Sequence, residues 1–277
     1  PINYLQNVYD QRGIVRGYVK WEYDIRTGKN VKQLVYRAMQ IANTEPKGPV
    51  YLTGAREVLE EEVQPKKDLT SRWKPKEPTA LTDAGIEQIF STLANSKNPI
   101  LITSYLGRNI ESVDLLVEFC ELLSIPVIES NPSYMNYPTE HPLHMGFEGG
   151  DLLDNADVVV VLDCDVPWIP TVNDLNDSCK VIFIDNDPIK EKIPLAYIPA
   201  DLTFQADSYH ALTQLLNYAK KINLDHSTIE ERFSRLKERH NSQRKEWRQR
   251  EVFPPNGVIT PEWVSRCLRN VIDEDTI

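Results

Sequence analysis

Two pairs of acidic residues follow apolar runs in the sequence, at positions where an α/β protein usually carries its chemistry. The pairs are Asp163 with Asp165, after Val158–Leu162, and Asp185 with Asp187, after Val181–Ile184. An acid at the end of a strand often accepts hydrogen bonds from ribose hydroxyls, so the second pair is a candidate for nucleotide binding. The first pair, also at a strand end, could line a cleft together with Trp168. The alternatives are that the second pair caps a turn and that the first pair shapes a loop.

Other kinds of site find little support in the sequence. His141 and His144 are three residues apart, but Pro142 lies between them and no third ligand is near, so we predict no metal site. The four cysteines show no metal-binding spacing, which predicts reduced thiols. No Gly-x-Ser-x-Gly or Walker motif occurs, which leaves hydrolase and P-loop functions without support.

The elements that must position these acids alternate between strand and helix. The run Val158–Leu162 has five consecutive apolar residues, four of them β-branched, which is typical of a strand buried on both faces. Further strands are predicted at 99–103, 125–128 and 181–184, and helices at 82–94, 110–123 and 208–218. This order predicts right-handed crossovers and a doubly wound α/β fold with a parallel sheet.

The flanks are predicted to be less complete. A helix over 31–43 feeds a strand near Val50, but too little chain precedes that strand to build a sheet. Residues 225–250 are about half charged in a helical register, which predicts a solvated connecting helix, and Thr260-Pro261 opens another helix. Neither end of the sequence matches a domain boundary, so we expect truncated α/β flanks on both sides.

Composition limits the partners. The chain of 277 residues has 31 basic and 41 acidic side chains, a difference of −10, which argues against nucleic acid as a ligand. No apolar run approaches the roughly 20 residues that span a bilayer, so no membrane partner is expected. We expect a cytoplasmic location, with an organelle as the open alternative.

The order of several motifs resembles the thiamine-diphosphate-dependent enzymes of the acetolactate synthase-like group. The motifs are Val19-Lys-Trp21, Gly48-Pro-Val-Tyr-Leu52, Ile125-Pro-Val-Ile128, Pro138-Thr-Glu-His-Pro-Leu-His-Met-Gly146, Ala156–Leu162, Ile184-Asp-Asn-Asp-Pro188 and Ile259-Thr-Pro261. The resemblance implies a Rossmann-like central domain over 81–220. It also implies the end of a pyrimidine-binding domain over 1–59, linkers over 60–80 and 221–258, and the start of a diphosphate-binding domain over 259–277.

The resemblance also implies cofactors, partners and sites. The parent protein would use thiamine diphosphate and magnesium to make or break a carbon–carbon bond next to a carbonyl, acting on a 2-keto acid or acyl-CoA type substrate as a homo-oligomer. Gln6 and Lys20 match positions near the active-site entrance, although both could be ordinary surface residues. The catalytic glutamate and the Gly-Asp-Gly motif have no match here, so no catalytic residue is predicted in this chain.

Flavin-binding members of the group have several glycines in the loop at 103–109, where this chain has only Gly107 beside Tyr105 and Leu106. The four strand-end acids would repel a diphosphate unless Arg108 offsets them, since two unit charges about 4 Å apart interact by about 4 kcal/mol at a dielectric near 20. We therefore expect no bound FAD. Four residues are assigned to the crevice, which would hold an ADP-like group or stay empty: Arg108, Asp163, Asp185 and Asp187. The alternative to an enzyme fragment is a non-catalytic nucleotide-binding module on the same fold.

Overall fold

A computed structural model describes residues 8–65, 67–173, 175–273 and 275–276. The chain forms two compact units that divide after Thr79. Among the described residues, the first unit contains α1 (Gln11–Val15), β1 (Trp21–Ile25), α2 (Val31–Asn43), β2 (Val50–Gly54) and α3 (Arg56–Leu59).

The first unit contains a small sheet that the sequence reading missed. Strands β1 and β2 pair in parallel, with Trp21 opposite Val50 and Ile25 opposite Gly54. The signal was present, because Trp-Glu-Tyr-Asp-Ile alternates apolar and charged residues with the period of a strand. The rings of Trp21 and Tyr23 stack on one face at a centroid distance of 5.6 Å. The expectation that too little chain precedes β2 to pair with it was therefore wrong.

The second unit is built on a five-stranded sheet whose strands all run in parallel. The strands are β3 (Pro99–Thr103), β4 (Val127–Glu129), β5 (Val158–Leu162), β6 (Lys180–Asp185) and β7 (Leu202–Gln205), in the spatial order β4-β3-β5-β6-β7. The helices are α4 (Asp83–Ala94), α5 (Glu111–Leu123), α6 (Gly150–Asp154), α7 (Ser208–Ala219), α8 (His226–Arg250) and α9 (Pro261–Arg269). The predicted doubly wound α/β fold is confirmed; β7 was not predicted.

The core of this unit lies on both faces of the sheet. All five residues of β3 and all five of β5 are buried, as the β-branched run predicted. Thr82 caps the start of helix α4, where its hydroxyl accepts from the amide of Gly85. The strand order reverses between β3 and β5, and ligands of such sheets bind beyond the carboxyl ends of the strands at this point.

Helix α8 differs from its prediction as a solvated connection. Arg232, Leu236 and His240 are buried and lie four residues apart, so they form one stripe along the helix. The guanidinium of Arg232 donates to the carbonyls of Leu123 and Ser96 at 3.1 and 2.9 Å. The high charge of the segment concealed this short buried stripe. No helix in the described part of the chain is long and apolar enough to cross a membrane.

Candidate functional site

The carboxyl end of the large sheet is closed by its own loops at the switch point. The amides of Ser104 and Tyr105, just after β3, both donate to the carbonyl of Asp163, just after β5, at 3.0 and 3.1 Å. Asp163 has a φ of 52°, in the left-handed region that Asp tolerates better than most residues. This backbone conformation turns its carbonyl toward the neighbouring strand, so the two loops are joined where a ligand would enter.

The side chain of Asp163 forms an ion pair with Arg108, the cation that the sequence suggested could offset the strand-end acids. Their closest atoms, Nη1 and Oδ2, are 2.7 Å apart, and the carboxylate is fully buried. The pKa of Asp163 is raised to about 6, chiefly because burial disfavours the charged form; Arg108 lowers this pKa and the charge of Asp185 raises it. Arg108 therefore compensates only part of the cost of burying this carboxylate.

A second cation, Lys190, was missed by the sequence reading. Its ammonium lies 2.8 Å from Oδ2 of Asp185 and 2.9 Å from Oδ1 of Asp165, and it donates to the hydroxyl of Tyr105 at 2.7 Å. The hydroxyl of Tyr105 in turn donates to Asp185 at 2.6 Å. We call Tyr105, Asp165, Asp185 and Lys190 the lysine network.

Within the lysine network Lys190 and Asp185 are buried, whereas Asp165 is exposed. Burial alone would lower the pKa of Lys190, but the charges of Asp185 and Asp165 and the hydrogen bonds they accept raise it above its ordinary value. Burial and the charge of Asp185 raise the pKa of Tyr105, which therefore stays a neutral hydroxyl. Lys190 lies five residues after Asp185, so the turn containing Pro188 brings the two together. That spacing could have suggested the pair.

Asp187 serves the same turn. Its carboxylate accepts from the amide of Glu191 at 3.1 Å, and its own amide donates to Oδ1 of Asp185 at 2.8 Å. These contacts match the turn-capping alternative given for this pair. Its assignment to a nucleotide remains a prediction.

The single glycine of the 103–109 loop serves the protein's own packing. A Cβ on Gly107 would lie 2.0 Å from the carbonyl oxygen of Met135, so only glycine allows this approach. The amide of Gly107 donates to the side-chain oxygen of Asn136 at 2.9 Å. A backbone donor that could face a phosphate is thereby used to hold the 133–137 loop.

Asn136 belongs to a second buried polar cluster that sequence reasoning did not find. Oε1 of Glu129 accepts from the amide and the side chain of Asn136, both at 3.0 Å, and Oε2 lies 3.0 Å from Nε2 of His144. Burial alone would raise the pKa of Glu129, but these hydrogen bonds outweigh it and lower the pKa. The described residues contain no group of three or more His, Cys, Asp or Glu placed to hold a metal ion.

The crevice is not arranged to receive a diphosphate. Three carboxylates, of Asp163, Asp165 and Asp185, face two cations, and each cation is held by carboxylates. A diphosphate would have to displace buried ion pairs, and removing one partner from such a pair is costly. This geometry favours the expectation that FAD does not bind, which remains a prediction. Because thiamine diphosphate also carries a diphosphate, these charged residues do not fit a site for it either.

The two predicted entrance residues lie in the first unit. Lys20 donates from its ammonium to the carbonyls of Thr44 and Pro46, so it holds the turn between α2 and β2. Gln6 lies outside the described residues. Their role near an active-site entrance remains a prediction.

Comparison with known proteins finds a family match within the second unit. Residues 86–215 match the family model described as the thiamine pyrophosphate enzyme, central domain. The chain is also 25% identical to an acetolactate synthase large subunit of Corynebacterium glutamicum, in an alignment 291 positions long that covers 97% of the chain and 43% of that protein. A Lactococcus lactis acetolactate synthase large subunit is 28% identical over 141 residues, 50% of the chain and 24% of that protein.

A solved structure agrees with this central domain in fold. Benzoylformate decarboxylase from Polynucleobacter necessarius superposes with a TM-score of 0.60 at 24% identity, covering 72% of the chain and 38% of that protein. The likeness to thiamine-diphosphate enzymes of the acetolactate synthase-like group, expected from the motif order, is confirmed. The chain spans less than half the length of these relatives.

Proposed function

We propose that this chain is the central portion of a thiamine-diphosphate-dependent enzyme that makes or breaks a carbon–carbon bond next to a carbonyl. The observation that carries the proposal is the alignment with an acetolactate synthase large subunit, which runs through 97% of the chain but only 43% of that relative. The family match at 86–215 falls inside the central domain proposed for 81–220. In this proposal the flanks at 1–59 and 259–277 belong to the two cofactor-binding domains.

In this function the central domain fixes the arrangement of its own loops and takes no part in the chemical step. The lysine network and the Arg108–Asp163 pair join the loops after β3, β5 and β6 into one rigid edge. Buried charge pairs of this kind fix one arrangement of loops, because any other arrangement would leave a charge unpaired in a dry environment. Thiamine diphosphate with magnesium would supply the carbanion chemistry in the parent protein, and we assign no step of it to these residues.

The substrate and the assembly belong to the same proposal. A 2-keto acid is the substrate class we favour, because acetolactate synthases recur among the relatives, and we propose a homo-oligomer. The non-catalytic nucleotide-binding module is less favoured, because the Arg108–Asp163 pair and the lysine network engage the charges that a nucleotide would need.

The experiment compares the 277-residue chain with a longer polypeptide that includes its neighbouring coding sequence on both sides. We expect the chain alone to bind thiamine diphosphate with magnesium more weakly than about 1 μM in calorimetry, near −8 kcal/mol, and to show no turnover of pyruvate. The longer polypeptide should bind the cofactor and turn over a 2-keto acid. Micromolar binding by the chain alone would contradict the fragment assignment. A longer polypeptide that lacks a Gly-Asp-Gly…Asn motif and does not bind would contradict the enzyme assignment.

A further inference from the structure

A cleft of about 490 Å³ lies between the carboxyl-terminal half of α8 and the turn at Glu140, away from the sheet edge described above. Its lining includes His240, Arg244, Lys245 and Arg248, with Glu140 opposite them. We call it the α8 cleft. Its volume is in the range of about 300–1,000 Å³ that is usual for small-molecule sites.

The α8 cleft concentrates positive charge in an acidic protein. Arg244, Lys245 and Arg248 lie on one face of the helix, since positions three and four residues apart are neighbours. The chain as a whole has ten more acidic than basic side chains, yet the cleft has three cations and one acid. That acid, Glu140, is already paired with Arg244. Lys245 and Arg248 make no ion pair with any residue that the structure describes.

Arg244 carries donors that the protein does not fully use. Its side chain is only 20% exposed, and its buried Nε has no hydrogen-bond partner among the described residues. Burial, followed by repulsion from Arg248 and Arg269, lowers the pKa of Arg244. A buried donor without a partner is costly, so this arrangement is better satisfied when an acceptor enters the cleft.

His240 provides an independent sign of a ligand. It is 4% exposed, and its Nδ1 donates to the carbonyl of His144 at 2.8 Å. A carbonyl can only accept, so Nδ1 carries the proton of the neutral ring, and Nε2 is left as an acceptor without a partner among the residues described. A phosphate-class anion that carries a proton can donate it to this nitrogen. An alternative explanation is that these cations interact favourably with the dipole at the carboxyl end of the helix. That interaction would require neither the burial of Arg244 nor an unpartnered histidine beside it.

We propose that the α8 cleft binds a small, multiply charged anion of the phosphate class. Arg244 and Arg248 present planar forks suited to phosphate oxygens, and Lys245 adds a point charge. The size of the cleft suits a small molecule. This site is independent of the proposed carbon–carbon bond chemistry.

The test is calorimetric titration of the 277-residue chain with inorganic pyrophosphate at low ionic strength, where exposed charges are least screened. The cleft variant is Lys245→Gln with Arg248→Gln. The matched control, Lys237→Gln with Arg250→Gln, removes the same charge from the same helix at positions outside the cleft. We expect saturable binding tighter than about 1 mM, weakened at least tenfold in the cleft variant and less than twofold in the control.

Three further measurements make the result decisive. The ring proton resonance of His240, assigned through His240→Gln, should move on saturation with pyrophosphate in the wild type and in the control variant. Malonate, a dicarboxylate, should bind more weakly than pyrophosphate. Thermal melting of both double variants shows whether a loss of binding comes from unfolding. Absence of saturable binding, equal weakening by the control, or tighter binding of malonate would each overturn the proposal.

Discussion

Replacing Lys190 with methionine tests whether the lysine network stabilises the sheet edge. The change removes the ammonium but keeps an unbranched side chain of similar length, so it adds no branching at Cβ to the left-handed backbone at this position, where φ is 54°. The carboxylate of Asp185, 4% exposed, would then keep the hydroxyl of Tyr105 but lose its cation. Breaking a buried ion pair by removing one partner costs about 3–5 kcal/mol in the free energy of unfolding.

The assay is urea unfolding followed by circular dichroism. With a denaturant slope of about 2 kcal/mol per molar, this loss lowers the unfolding midpoint by about 2 M. Lys192→Met is the matched control, since Lys192 is an exposed lysine two residues further on. Its free energy of unfolding should change by less than about 0.5 kcal/mol.

A second variant separates lost charge pairing from lost packing. Lys190→Met combined with Asp185→Asn removes both charges, so no carboxylate remains buried without a cation at that point. This double variant should be more stable than Lys190→Met alone by about 1–3 kcal/mol, the cost of leaving a buried polar group without its partner. The reasoning is refuted if Lys190→Met costs less than about 1 kcal/mol, or if the double variant is no more stable than the single one.

Three further predictions follow from the second unit. The pKa of Asp163 is raised to about 6 from about 3.9 in an unfolded chain, so the folded state binds the extra proton and its stability falls as pH rises through this window. Asp163→Asn should therefore gain stability relative to wild type by up to about 3 kcal/mol between pH 4 and 6, at about 1.4 kcal/mol per pKa unit; a difference independent of pH in urea unfolding would contradict this. Arg232→Met should cost at least about 2 kcal/mol, because two buried carbonyls lose their donor, and should speed tryptic cleavage in α8, whereas the exposed Arg235→Met should do neither. The purified chain should show no stoichiometric flavin absorbance; a bound flavin spectrum would show that the crevice opens.

The sequence by itself determined the doubly wound sheet, because unbroken β-branched runs such as Val158–Leu162 are stable only where both faces are covered. It also identified Arg108, Asp163, Asp165 and Asp185 as charged groups at this edge of the sheet, but not Lys190. The order of the motifs was sufficient to indicate the enzyme family, because each motif is a run of residues adjacent in the chain.

Only the tertiary structure decided what those charges do. Lys190 and Tyr105 are 85 residues apart and meet because β3 and β6 end at the same edge of the sheet. The stripe of Arg232, Leu236 and His240 was concealed by surrounding charge, because three buried residues in a helix of 25 give little periodic signal. Local patterns fix which elements form, whereas burial and charge pairing depend on which elements pack together. For that reason the sequence could indicate candidate site residues, but it could not show that these residues form hydrogen bonds and ion pairs with one another.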